Sequence, residues 1–256
     1  MRFVSLFAGI GGMDKGLEAA GWECVAQVEN DPWCTRILEK HWPTIPKWGD
    51  IHDLDPADLP DCDAVVGGFP CQPVSLAGKR QAQDDPRWLW PEFLRIIRMV
   101  RPRIVLVENV PGLLTAGFGD VLDGLAGAGY DTEWTSVPAA AVGAPHLRWR
   151  IFIVAYTDTI GWDGGSGEQW QGRRGEPQNS SRDMGDTDKP SEDSFAQEGR
   201  SRGAIGESGW WDVEPRVGRV APRVPRRVDR LRGLGNAVVP QVAEWIGRRI
   251  VARVGR

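Results

Sequence analysis

A cysteine held between two prolines, Pro70-Cys71-Gln72-Pro73, follows the apolar run Asp63–Val66 and the turn Gly67-Gly68-Phe69. A thiolate is a strong nucleophile, and a proline-flanked loop presents it rigidly. The next apolar run, Val105-Leu106-Val107, ends in Glu108-Asn109-Val110-Pro111. A carboxylate at a strand end can face the same crevice and trade a proton with whatever the cysteine attacks. Further on, Arg148-Trp149-Arg150 leads into Ile151–Ala155. Arginines at i and i+2 share one face of a strand, and both could aim at an oxygen or a phosphate.

A second constellation opens the chain. An apolar run enters Phe7-Ala8-Gly9-Ile10-Gly11-Gly12. Glycines there allow a sharp turn and close backbone approach to a ligand at a helix N-terminus. Glu29 follows Gly9 by 20 residues. An acid at that distance can bond both hydroxyls of a ribose. Asp14 stands where the dinucleotide fingerprint has its third glycine, and an acid beside a pyrophosphate would be repelled. An adenosine ligand without phosphates, such as S-adenosylmethionine, fits better than NAD. Asp50, ending a third strand, could accept from an adenine amino group. A plain strand–helix turn is the alternative for the glycines taken alone.

These residues need a scaffold that brings strand ends together. Strands are expected at Arg2–Ala8, Glu23–Glu29, Lys47–Ile51, Asp63–Gly67, Arg103–Asn109 and Arg150–Tyr156, with helices at Met13–Ala20, Pro32–His41, Trp88–Val100 and Gly117–Ala128. Alternating apolar strands and helices predict βαβ units and a largely parallel sheet. Such sheets bind ligands outside the carboxyl ends of their strands. From Thr157 to about Gly209 the chain is rich in Gly, Ser, Asp, Gln and Arg and poor in aliphatics, so it can bury little core. A final helix is expected at Ala237–Val251.

Composition narrows the classes. The chain of 256 residues is 41% hydrophobic and 26% charged, as expected of a packed protein. Its net charge of −4 is unevenly spread: −6 over residues 1–155, −7 over 156–215 and +9 over 216–256. A basic tail on an acidic body points to a polyanionic partner. Four cysteines without a C-x-x-C pair, and three histidines without ligand spacing, argue against a disulfide scaffold or a structural metal. No run approaches the ~18 apolar residues of a membrane span. The scattered cysteines fit a reducing cytosol, so the expected location is cytoplasmic.

Together these residues resemble the DNA (cytosine-5) methyltransferases. Phe-Ala-Gly-Ile-Gly-Gly is similar to the family's first motif, Gly-Phe-Pro-Cys-Gln-Pro to its nucleophile motif and Glu-Asn-Val to its proton-relay motif. Arg148-x-Arg150 resembles its paired-arginine motif, and Arg230-Leu231-Arg232-Gly233-Leu234-Gly235-Asn236-Ala237-Val238-Val239-Pro240 its last. The likeness covers residues 2–156 and about 210–251. His146 stands where the family often has Gln.

The resemblance implies a Rossmann-like methyltransferase fold with helices on both faces of a mostly parallel sheet, plus a small irregular target-recognition region. It divides the chain into a catalytic and cofactor-binding domain at 1–156, a polar recognition insert at 157–213, and a segment at 214–256 that returns to the catalytic domain. The cofactor is S-adenosyl-L-methionine. Cys71 is the nucleophile and Glu108 the proton relay. Asn109 shapes the loop, and Arg148 and Arg150 hold the base. Phe7, Ala8, Gly9, Gly11, Gly12, Glu29, Asn30, Asp50, Ile51, Pro70 and Asn236 are the expected cofactor contacts. Gln72, Ser75, Arg80, Arg87, Arg226, Arg227 and Arg230 are the expected DNA contacts. Double-stranded DNA is the partner, the state is monomeric, no metal is used, and a cognate restriction endonuclease is a companion the family implies. Alternatives are a tRNA cytosine-5 methyltransferase, an inactive DNA-binding relative, and an NAD-dependent oxidoreductase.

Overall fold

The computed structural model describes residues 1–70, 88–157 and 227–254. Its strands are β1 (Arg2–Leu6), β2 (Glu23–Val28), β3 (Lys47–Trp48), β4 (Ala64–Gly67), β5 (Ile104–Asn109), β6 (Tyr130–Pro138) and β7 (Trp149–Thr157). The helices are α1 (Gly12–Ala19), α2 (Pro32–His41), α3 (Trp90–Val100), α4 (Phe118–Ala126), α5 (Arg227–Asn236) and α6 (Pro240–Val254). One seven-stranded sheet runs in the order β3-β2-β1-β4-β5-β7-β6.

Local chemistry starts and stops these elements. Asp31 caps α2, its carboxylate accepting from the Trp33 and Cys34 amides at 2.8 and 3.1 Å, and Pro32 follows as the first helical residue. In α3, Phe93, Leu94, Ile96 and Ile97 are buried along one side, and Arg101 closes the helix in the left-handed region.

The sheet divides the core in two. On one face, Val4, Leu6, Val65, Val105 and Val107 meet Phe93, Ile96 and Ile97 of α3 and Val121 and Leu125 of α4. On the other, Phe3, Val66, Leu106, Phe152 and Val154 meet Met13 and Leu17 of α1 and Val242, Ile246 and Ile250 of α6. Helices therefore cover both faces, as expected.

The expectation of parallel strands holds for the first five. The sheet is largely parallel as expected, with β7 antiparallel to both β5 and β6. β6 was not anticipated. It is a half-buried edge strand paired only with β7 and shows no clean alternation, although Tyr130, Thr132, Trp134 and Val137 are good strand formers. α5 carries Gly233 and Gly235 and has weak helical propensity, so packing decides it.

Candidate active site

Five chain segments converge on one edge of the sheet. The glycine loop follows β1, Glu29 follows β2, Gly68–Pro70 follow β4, and Glu108 and Asn109 end β5. These are carboxyl ends of parallel strands. β7 runs the other way, so its amino end brings Arg148 and Arg150 to the same edge.

The glycine loop is left-handed at Phe7, Gly9 and Gly11, with φ of 54°, 59° and 79°. Glycine adopts this freely, whereas Phe7 pays about 1–2 kcal/mol for it. The Phe7 ring stacks toward Phe93 at 6.2 Å. A side chain at Gly9 would enter open space. One at Gly11 would collide with Trp42, and one at Gly12 with the Val238 carbonyl. The Ala8 amide donates to Val28, tying the loop to β2.

Glu29 closes the other side of this hollow. Its two oxygens accept from the Gly9 and Asp31 amides, both at 2.7 Å. Burial raises its pKa, against those hydrogen bonds. Asn30 and Asp50 are exposed nearby in sequence, and the Asp50 carboxylate is engaged by the amide and the ring Nδ1 of His52 at 3.0 and 2.7 Å. The Ile51 side chain is packed in the core, and its carbonyl accepts from Arg95 at 2.8 Å.

The acid at position 14 requires a correction. Asp14 does not face a ligand. It is fully buried between the strands, accepting from Ser5 Oγ and Gln27 Nε2, both at 2.6 Å. Its charge therefore has no direct bearing on phosphate repulsion at the loop.

Glu108 is 7% exposed. Burial pushes its carboxyl up to about 7, although Arg150 and Arg148 pull it down. Its Oε1 forms an ion pair with Arg150 Nε at 2.9 Å. A Cβ at Gly68 would lie 2.5 Å from Glu108 Oε2, so the chain leading to Cys71 runs directly against this carboxylate. Sequence reasoning missed Gly68, whose signal is the paired glycines after β4. Asn109 holds the same loop from the other face: its Nδ2 donates to the Phe69 carbonyl at 3.1 Å and its Oδ1 accepts from the Val110 amide at 2.8 Å. The Phe69 ring is locked among Trp88, Trp90 and Phe93 at 5.2–6.4 Å. Asn109 thus ties the end of β5 to the loop that leads to Cys71.

The two arginines take different protein partners. β7 begins only at Trp149, and Arg148 precedes it with φ of 37°. That turn sends the Arg148 guanidinium to the carbonyls of Gly235 and Ala237, both at 2.6 Å. Asn236 lies between them and is exposed. Arg150 is the arginine that forms the ion pair with Glu108 among the described residues.

Pro70 is exposed and is the last described residue of its loop. Cys71, Gln72, Ser75, Arg80, Arg87 and Arg226 lie outside the described residues, and so does the segment 158–226 with most of the insert. Arg227 begins α5, and Arg230 is exposed on it.

A family model described as C-5 cytosine-specific DNA methylase matches residues 1–201. The chain belongs to that family. Type II methyltransferase M.HgiCII of Herpetosiphon aurantiacus is 38% identical over 166 residues, covering 62% of this chain and 38% of that protein. Type II methyltransferase M.AquIA of a Picosynechococcus strain is 37% identical over 178 residues, covering 60% of this chain and 71% of that protein. The chain therefore spans about two fifths of the length of the Herpetosiphon relative, and more of the cyanobacterial one. Among solved structures, Dnmt2 of S. pombe superposes with a TM-score of 0.53 at 25% identity, covering 62% of this chain and 51% of that one. The family match ends at residue 201, before α5 and α6, so the return of the C-terminal segment to the glycine-loop edge is seen from the fold.

Proposed function

We propose that this chain transfers a methyl group from S-adenosyl-L-methionine to carbon-5 of a cytosine in duplex DNA through a covalent Cys71 adduct. The observation that carries this reading is the buried Glu108 carboxyl. With a pKa of about 7, it keeps a proton available near neutrality while touching the loop that leads to the cysteine.

Cytosine carbon-5 is a poor nucleophile. The Cys71 thiolate adds to carbon-6, forming an S–C bond and pushing electrons toward ring nitrogen-3. Glu108 gives nitrogen-3 its proton, which cancels the developing charge and leaves carbon-5 enamine-like. Arg150 holds the Glu108 carboxylate after the proton has left, and steadies the base oxygen. Once carbon-5 has taken the donor's methyl group, loss of its remaining proton to a base or water expels the Cys71 thiolate, and nitrogen-3 returns its proton to Glu108.

The glycine loop and Glu29 together suit a donor carrying adenosine. Gly9 leaves room beside its backbone, and Glu29 presents a carboxylate where ribose hydroxyls can donate. When bound, S-adenosyl-L-methionine supplies an electrophilic methyl on a sulfonium sulfur. Phe7, Ala8, Gly9, Gly11, Gly12, Glu29, Asn30, Asp50, Ile51, Pro70 and Asn236 are the residues assigned to hold it.

The substrate base must leave the duplex, which costs a few kcal/mol. Gln72 and Ser75 beside the nucleophile, and Arg80, Arg87, Arg226, Arg227 and Arg230, are assigned to DNA. The protein acts as a cytoplasmic monomer beside a restriction endonuclease of the same specificity. The Type II names of its relatives support that setting.

Bisulfite sequencing of DNA from cells expressing the protein tests the activity and reports the sequence context. An oligonucleotide carrying 5-fluorocytosine in that context should then trap a covalent complex, lost in Cys71→Ser. Labelled donor incorporated into tRNA but not DNA would overturn the reading.

A further inference from the structure

The C-terminal return is fastened to the catalytic half from two sides. On one side lies the glycine loop. The Val238 carbonyl sits against Gly12, Gly233 packs on Trp33 and Ile10, and Arg232 lies 3.3 Å from Asp31. On the other side is Arg148 alone, whose Nη2 donates at 2.6 Å to both the Gly235 and Ala237 carbonyls.

These two carbonyls flank Asn236, at the end of α5. A helix leaves its last carbonyls without intrahelical partners, and its negative end favours a cation. Arg148 meets both needs. Its left-handed backbone is what turns the side chain away from Arg150 and toward α5. Two residues on, Arg150 pairs with Glu108. One short stretch of chain therefore grips the C-terminal return and the buried acid at once. Small apolar side chains fill the space between: Val137, Ala139, Val238, Val239 and Val242 line a hollow with both arginines.

We infer that Arg148 is a positioning residue: it clasps the end of α5 and so sets Asn236 over the donor hollow, leaving contact with the base to Arg150. The inference rests on the proposed reading of that hollow as the donor site. Without the clasp, α5 keeps, among the described residues, its contacts with Ile10, Asp31 and Trp33, and the segment bearing Asn236 frays on the Arg148 side. A charge-assisted hydrogen bond is worth on the order of tenfold in an equilibrium, and two are lost together.

The test is calorimetric titration of S-adenosyl-L-methionine into the full chain without DNA, for the wild type, Arg148→Ala and Arg148→Lys, with amide exchange followed at Ala237. Arg148→Ala is expected to bind donor at least ~10-fold more weakly. It should also speed exchange of the Ala237 amide, which donates to Gly233 in the folded chain. Lysine can serve both carbonyls with one ammonium and should restore most of the affinity. In DNA assays the loss should fall on the donor KM more than on kcat.

Wild-type donor affinity and exchange in Arg148→Ala, with kcat reduced, would overturn the clasp and place Arg148 at the base. If the alanine variant does not fold, Arg148→Gln keeps a donor without charge. Its affinity should lie between those of the lysine variant and the wild type on one side and undetectable binding on the other, and wild-type affinity would overturn the role of the cation. No donor binding by the wild type itself would overturn the donor reading, and the clasp with it.

Discussion

Glu108 and Arg150 meet diagonally across the antiparallel β5–β7 pair, with Oε1 and Nε 2.9 Å apart. The register sets Glu108 opposite Phe152 and Asn109 opposite Ile151, so Arg150 stands just beyond the last pair, on the face shared by Phe152. Its positive charge opposes the burial that raises the acid. A proton donor must be protonated to act, and Glu108 holds its proton below about pH 7. Single-turnover methylation should therefore fall as pH rises through that value. Replacing Arg150 by Gln removes a contribution that lowers the pKa, so the falling limb should move up by about one pH unit while the maximal rate drops about 10- to 100-fold. Quench-flow rates across pH 6 to 9 check this; a limb that stays in place would assign it to another group.

Gly68 is the point where the nucleophile loop touches the acid. Gly68→Ala puts a methyl 2.5 Å from Glu108 Oε2, so the loop or the carboxylate must shift. An ångström of misplacement costs on the order of 100-fold in rate. Turnover should drop by about that factor with Tm lowered by only a few degrees. Matching losses of activity and folded protein on parallel melts would refute a positional effect.

Asp14 is held neutral more easily than an ordinary carboxyl, its pKa raised to about 6 by burial. The unfolded chain releases that proton near pH 4. Stability from this group is thus complete below pH 4 and is lost as pH climbs through 6. Asp14→Asn removes the charge and keeps a partner for Ser5. Gln27 Oε1, which lacks a hydrogen bond, can turn to accept from the new amide. The variant should be more stable than wild type by about 1–3 kcal/mol at pH 8 and by little at pH 4. Urea titrations at the two values decide it, and an equal difference at both would exclude titration of Asp14.

Arg226 and Arg227 belong to the basic stretch 216–256. If both touch phosphates, replacing them by Ala should lower the salt dependence of DNA affinity by about two in log–log slope. Fluorescence anisotropy at several salt concentrations measures that slope. An unchanged value would remove both from the DNA interface.

Much of this protein was legible in its sequence because the information is local. Asp31 followed by Pro32 is a local helix-start signal, and α2 runs from Pro32 to His41 as read. Apolar runs marked the five parallel strands to within a few residues, and paired glycines marked the turn after β1. Motif chemistry marked Glu29, Glu108, Asn109 and the arginines as residues to be gathered at one edge, and the fold gathers them. The tertiary structure alone decided whom they meet. Arg148 finds carbonyls 87 and 89 residues away, because β7 enters antiparallel and α5 returns across the edge. Asp14 turns inward to β1 and β2, a choice set by where those strands lie beneath α1. β6 and α5 carry weak local preferences and exist through their neighbours. Residue type and spacing report what a short stretch of backbone favours; contacts between distant stretches depend on strand direction and helix docking, which only the assembled core imposes.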